Sequence, residues 1–234
     1  GTSNTLIGSL AGDALTDADF NIAIGVNSLT SDTLGSRSVA IGMGTLQTQN
    51  FTTATNSHNT AVGYHAGQEV TTGVQNTLIG ALAGDSITDA NNNTALGYAA
   101  LSTNQRGAFN VAVGVGALQT ANPSGAADTY NTAVGFDAGN AVTTGARNTL
   151  IGALAGDDLT TGGDNVAVGY EALKNEDAHS RNTAIGTQAL FSLNAGADAY
   201  NTAVGFQAGA AVSTGVQNTL LGGLAGDSLS VGNK

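Results

Sequence analysis

The chain has no cysteine and no tryptophan, a single proline (Pro123), and charged residues at only 10% of its 234 positions. Absence of cysteine removes disulfides, thiolate metal sites and cysteine nucleophiles, and is compatible with secretion without requiring it. Bases are the scarcest charge: 6 Lys and Arg stand against 17 Asp and Glu, a formal charge of −11. Such an excess repels nucleic acid and anionic membrane surfaces, so no nucleic-acid partner is expected. Neither a basic-then-apolar leader nor an uninterrupted apolar run long enough to span a bilayer reads in the sequence, so no membrane insertion is expected. Low charge combined with 41% apolar residues also argues against disorder.

What the chain has instead is repetition. The stretch Asn76–Asp85, Asn-Thr-Leu-Ile-Gly-Ala-Leu-Ala-Gly-Asp, recurs nearly unchanged at Asn4–Asp13, Asn148–Asp157 and Asn218–Asp227. Its first half, Asn followed by Thr or Val, a small or apolar residue, an aliphatic residue and Gly, defines thirteen units starting at positions 4, 21, 38, 59, 76, 93, 110, 131, 148, 165, 182, 201 and 218. Most steps are 17 residues, two are 21 and one is 19. The eighth residue after each start runs Gly, Leu, Leu, Gly three times and then Gly, which groups the units into superrepeats at 4–75, 76–147 and 148–217 with a partial repeat at 218–234. The whole chain therefore reads as one repeat array, in which each unit buries its apolar side against its neighbours.

A fixed Gly at the fifth position of all thirteen units disfavours helix, and short apolar runs ending in Gly favour strands. The expected fold is all-β: a parallel β-solenoid or β-roll of about thirteen coils. Each coil is expected to hold two strands of about five residues, with coils stacked about 4.8 Å apart into a rod on the order of 60 Å long. Within Asn131–Phe136, alternation separates Thr132, Val134 and Phe136 from Asn131, Ala133 and Gly135. Bulk places the first set, Thr included, in the coil interior. The smooth Ala/Gly set is then expected outside, where it suits packing against another copy. Asn at twelve of thirteen first positions is expected to stack into an amide ladder.

Units of the form Asn-Thr-Ala-Val-Gly-Tyr-X-Ala, as at 59–66, resemble the head repeats of trimeric autotransporter adhesins. The Asn-Asn-Asn-Thr-Ala-Leu-Gly-Tyr-Ala-Ala-Leu wording of Asn91–Leu101 is similar to repeats of bacteriophage tail fibres and related bacterial surface fibres. The resemblance covers essentially the whole chain. It implies a homotrimer of left-handed parallel β-rolls, a structural or adhesive fibre segment without enzymatic activity, and an extracellular or virion-surface location. Coils of 17–21 residues exceed the shorter head coils of that family, and phage fibre and bacterial adhesin remain alternatives. A chain that starts at Gly1, with ordinary repeats as its first and last units, is expected to be a piece of a longer fibre or of an end-to-end filament. A monomeric solenoid that binds an ordered surface such as ice through its Thr and Asn rows is the competing reading.

Three longer inserts, Gln47–His58, Gln119–Tyr130 and Phe191–Tyr200, carry Phe51, Pro123, Tyr130, Phe191 and Tyr200. As loops on a rigid scaffold these are the receptor-binding candidates, for a cell-surface glycan or protein; the alternative is that the aromatics fold back to seal wider coils. Asp13, Asp85, Asp157 and Asp227 follow Ala-Gly at a turn and form the one calcium candidate, but their spacing matches no known calcium loop, so no cofactor is expected. His58, His65 and His179 occupy non-equivalent positions, and no catalytic arrangement repeats with them. The cluster Glu171, Lys174, Glu176, Asp177, His179 and Arg181 reads as a solvated edge.

Overall fold

The computed structural model describes residues 1–196 and 198–232. The chain is an all-β parallel solenoid of about thirteen turns, with no helix among the described residues. It divides into two units, Gly1–Asn110 with Asn122–Asp128, and Val111–Ala121 with Thr129–Lys234. The first holds six coil strands, from Thr5–Ile7 to Thr94–Leu96; the second holds seven, from Val111–Val113 to Thr219–Leu221. Within each unit successive strands pair in parallel and strictly in register, Thr60 against Thr77 against Thr94, and Thr132 against Thr149 against Val166.

Each coil carries one three-residue strand, and four coils add a second of two residues, rather than two of five. The reason is local: the backbone enters the left-handed region immediately before every repeat Asn, at φ near 60° for Phe20, Gln75 and Arg147, and turns again at the repeat Gly, where φ reaches 132° at Gly80 and Gly152. Those bends confine extended backbone to the residues between them. The turns stack as regularly as the strands, because their amides bond the next coil, as in Gly67 N–H to Ala83 O and Glu69 N–H to Asp85 O. Two of the inserts add short strands of their own: Thr55–Asn56 pairs with Gly35–Ser36, and Ala127–Asp128 with Gly107–Ala108.

The side-chain parity is the reverse of the expectation from bulk. Asn and the Ala or Leu at the third position point inward: Asn59, Asn76, Ala61, Leu78, Ala133 and Leu150 are all at most 1% exposed. Thr and the aliphatic residue point outward, and Ile7, Leu96, Val134, Ile151 and Ile185 are 36% exposed or more. The interior is narrow, and backbone contacts set its limits. A Cβ at Gly152 would lie 2.4 Å from the carbonyl oxygen of Gly169 in the next coil, and one at Gly63 2.4 Å from that of Gly80.

The Asn ladder forms, but through the backbone more than through stacked amides. Asn148 Oδ1 accepts the backbone N–H of Asn165 at 3.0 Å, tying one coil to the next, while its Nδ2 donates to Gly162 O at 2.9 Å across its own coil. Amide-to-amide bonds such as Asn148 Nδ2 to Asn131 Oδ1, at 3.2 Å, are the longer component. Leucine and glycine interlock beside this ladder. A Cβ at Gly139 would come within 2.5 Å of one methyl of Leu150, and a Cβ at Gly156 within 2.8 Å of the other. Leu78 is held the same way by Gly67 and Gly84. Six of the coils that carry Ala at the third position fill the same space with Leu29, Leu46, Leu101, Leu118, Leu173 and Leu190, all fully buried; the other three, with Ala61, Ala133 and Ala203, carry Gly67, Gly139 and Gly209, which make room for the Leu of the next coil.

Candidate interaction surface

Three rows of side chains face solvent along each unit: the Thr, Val or Ile at the second repeat position, the aliphatic residue at the fourth, and the residue that follows the repeat Gly. In none of the thirteen coils is any of these positions Asp, Glu, Lys, Arg or His. All 23 charged residues lie elsewhere. From the fourth coil on, the third row carries an aromatic at every second coil, Tyr64 and Tyr98 in the first unit and Phe136, Tyr170 and Phe206 in the second, each between 49% and 55% exposed. Ala81, Val115, Ala153 and Thr187 occupy the intervening coils.

Charge gathers on the flanks of this face. Arg147 Nε meets Asp164 Oδ1 of the next coil at 2.6 Å, and Arg181 pairs with Asp198. The Arg147 guanidinium holds the Asp164 carboxyl below its ordinary range. Arg37 lies 5.8 Å above the Phe20 ring and Arg181 5.4 Å above that of Tyr200, distances at which the ring face attracts a cation. On the other flank Gln207 donates to Gln188, Gln188 to Glu171, and Lys174 to Glu171. The Gln188 hydrogen bond lowers the Glu171 pKa.

The insert residues separate into distinct environments. Phe51 is 5% exposed, with its N–H on Asp32 Oδ1, and Pro123 is buried. Phe191 is half-buried, its carbonyl accepting Asn175 N–H. Tyr130 and Tyr200 are each 51% exposed; both directly precede a repeat Asn, in the same row as Phe20, Arg37 and His58. Asp13 and Asp227 are exposed and Asp85 and Asp157 half-buried, each in a different coil. Burial raises the pKa of Asp85 and Asp157. Among the described residues no group of three or more His, Cys, Asp or Glu could hold a metal ion, and there is no pocket.

No family model, curated protein or solved structure matches this chain.

One set of side chains escaped the reading of the sequence. In the second coil of each superrepeat a fully buried polar residue, Asp32, Asn104 or Glu176, accepts the N–H three residues on, from Gly35, Gly107 or His179. Glu176 thus lies inside, not on a solvated edge. Its signal was available as position: the corresponding residues of other coils include Leu15, Val70, Ile87, Val142, Leu159 and Val212, all aliphatic. A polar side chain recurring in an aliphatic row marks a backbone anchor.

Proposed function

We propose that this chain is a segment of a structural and adhesive fibre, in which copies of the solenoid pack through the uncharged outward face and present their flanks and inserts to a host or other surface. The observation that carries the reading is the face itself. Half of an aromatic side chain's ~200 Å² at Phe136, Tyr170 and Phe206 already amounts to roughly 300 Å², and the aliphatic row adds to it. Monomeric proteins rarely expose contiguous apolar patches beyond a few hundred Å². A surface with no charge in any coil has little cost to bury. Three copies, and a place outside the cell or on a virion, follow from the resemblance of the Asn-Thr-Ala-Val-Gly-Tyr units to trimeric fibre repeats. Tyr130 and Tyr200, exposed beside the face, are the insert aromatics best placed for a glycan or protein. This role calls for no cofactor and no catalysis.

The absence of native cysteine offers a direct test. Ile151→Cys, on the outward face, is expected to resist a water-soluble thiol reagent in the assembled protein and to react fully once assembly is disrupted by dilution. Immediate labelling of the native protein at all concentrations counts against packing through this face. Leu150→Cys, which points inward, is the control that reacts only on unfolding.

A second reading draws on the outward threonines. Thr60, Thr77 and Thr94 stand half-exposed on three successive coils in exact register, which favours a monomeric solenoid binding an ordered surface such as ice. Thermal hysteresis that is lost in Thr77→Val without a change in melting temperature would select it.

A further inference from the structure

The three buried anchors do the same mechanical work with different chemistry. Asp32 uses both oxygens, accepting Gly35 N–H and Phe51 N–H on Oδ1 and Gln49 Nε2 on Oδ2. Asn104 closes its turn with two 2.8 Å bonds to Gly107, one accepted from the N–H and one donated to the carbonyl. Glu176 accepts His179 N–H at 3.1 Å, and the same Oε1 meets His179 Nδ1 at 2.5 Å. Its Oε2 is buried without a partner. The side chain lies in the interior row between Leu159 and Leu193, both fully buried, whereas the His179 side chain is 15% exposed.

The charged groups around the pair offer Glu176 no second cation. Its own turn supplies Asp177, Lys174 and Arg181; Lys174 is bonded to Glu171 at 3.3 Å, and Arg181 pairs with Asp198. The coil before supplies Asp157, Asp158 and Asp164, and the coil after supplies Asp198, the partner of Arg181. A proton on Glu176 leaves the buried carboxyl neutral. Its loss leaves a carboxylate with an orphaned oxygen in an apolar row, which costs far more than the same charge in water.

We propose that Glu176, which accepts His179 N–H, is a proton-dependent latch that holds turn 174–181 closed while Glu176 keeps its proton and loosens it as pH rises. The turn is attached to the third insert. Asn175 N–H bonds Phe191 O, Arg181 bonds Asp198 and Tyr200, and the His179 carbonyl accepts Asn165 Nδ2 at 2.9 Å. Release of the latch thus frees the segment that bears Phe191 and Tyr200. Burial raises the Glu176 pKa, and the sign agrees: the stabilisation is present below the ordinary carboxylate range and is lost as pH rises through the raised value. The device acts within one chain and is independent of how copies associate.

Backbone amide exchange of the full chain, corrected for the intrinsic rate at each pH, tests it with an internal standard. His179 N–H on Glu176 and Gly107 N–H on Asn104 make the same contact, and only the first partner titrates. Protection of His179 N–H is expected to fall by up to about tenfold per pH unit once Glu176 loses its proton, the slope for one linked proton, while that of Gly107 stays level. Parallel courses for the two amides overturn the proposal. Glu176→Gln keeps an acceptor for His179 N–H but removes the charge, and is expected to flatten the His179 course; a variant that still follows wild type overturns the proposal as well. Should that variant fail to fold, the comparison of the two amides in wild type decides alone.

Discussion

At the scale of single residues the fold rests on atoms that approach too closely for substitution. Gly152 combines φ of 132° with a neighbouring carbonyl 2.4 Å from where a Cβ would sit, whereas Gly125 has nothing within 4 Å and no positive φ. Gly152→Ala is therefore expected to cost on the order of 3 kcal/mol or more, and Gly125→Ala to leave the melting temperature nearly unchanged. Thermal unfolding of the two variants side by side checks this. Asn148→Ala strips Asn165 N–H and Gly162 O of their partners inside the coil; a loss of about 2–4 kcal/mol in denaturant unfolding is expected, since each orphaned group costs roughly 1–3 kcal/mol. That Asn would form a ladder was legible in its recurrence. Its dual role, one atom to the next coil and one across its own, was not, because repetition reveals a stack without revealing which backbone groups lie opposite.

At the scale of the coil the governing relation is size compensation. Leu150 fits because Gly139 and Gly156 leave room for its two methyls. Gly156→Leu is expected to destabilise by several kcal/mol alone, and Leu150→Ala by about 2–5 kcal/mol. Combined, the two changes reproduce the Ala-with-Leu arrangement of other coils, such as Ala95 with Leu101, where Leu already adopts φ of 53°. The double variant is therefore expected to lose clearly less than the sum of the singles, a coupling that a double-mutant cycle measures. Additive losses contradict the packing described.

The same relation explains why the coil's inner and outer faces were misassigned from the sequence while its period was not. Bulk and hydrophobicity put Thr132, Val134 and Phe136 inside, because burial of branched side chains is the usual source of core stability. The decisive signal was covariation along the array. Leu stands at the third position, as at Leu78, Leu150 and Leu220, where both its own coil and the coil before carry Gly at the eighth residue after the repeat Asn, as only residues sharing an interior must. The fourth position changes among Ile, Val and Leu with no matching change elsewhere, as an outward row can. Turn conformation hid the second departure, since φ near 60° at residues as varied as Phe20, Gln75 and Arg147 follows from coil closure and not from residue type.

At the scale of the whole molecule, charge and apolar surface are segregated, and each has a consequence. Burial raises the pKa of Asp85 and Asp157, and Asp158 and Asp137 add to the effect on Asp157. A raised carboxyl contributes stability that is complete below the unfolded value, about pH 4, and is lost as pH rises through the folded one. The lowered pKa values of Asp164 and Glu171 act in the opposite sense; the Arg147–Asp164 pair is exposed and of small worth, and the Lys174–Glu171 pair is half-buried. Asp85→Asn and Asp157→Asn are accordingly expected to raise the melting temperature at pH 7 and to reduce its decline between mild acid and neutral pH. Equal melting temperatures for wild type and both variants across that range would remove burial as the cause.

The uncharged face is the other consequence, and association through it is the central claim. Light scattering on the native chain across a concentration series tests that claim most directly. A stable mass near three times 22.9 kDa is the predicted result. A mass that stays at 22.9 kDa at every concentration would contradict it, leaving the outward rows of Thr, aliphatic and aromatic side chains as a surface for something other than a second copy of this chain.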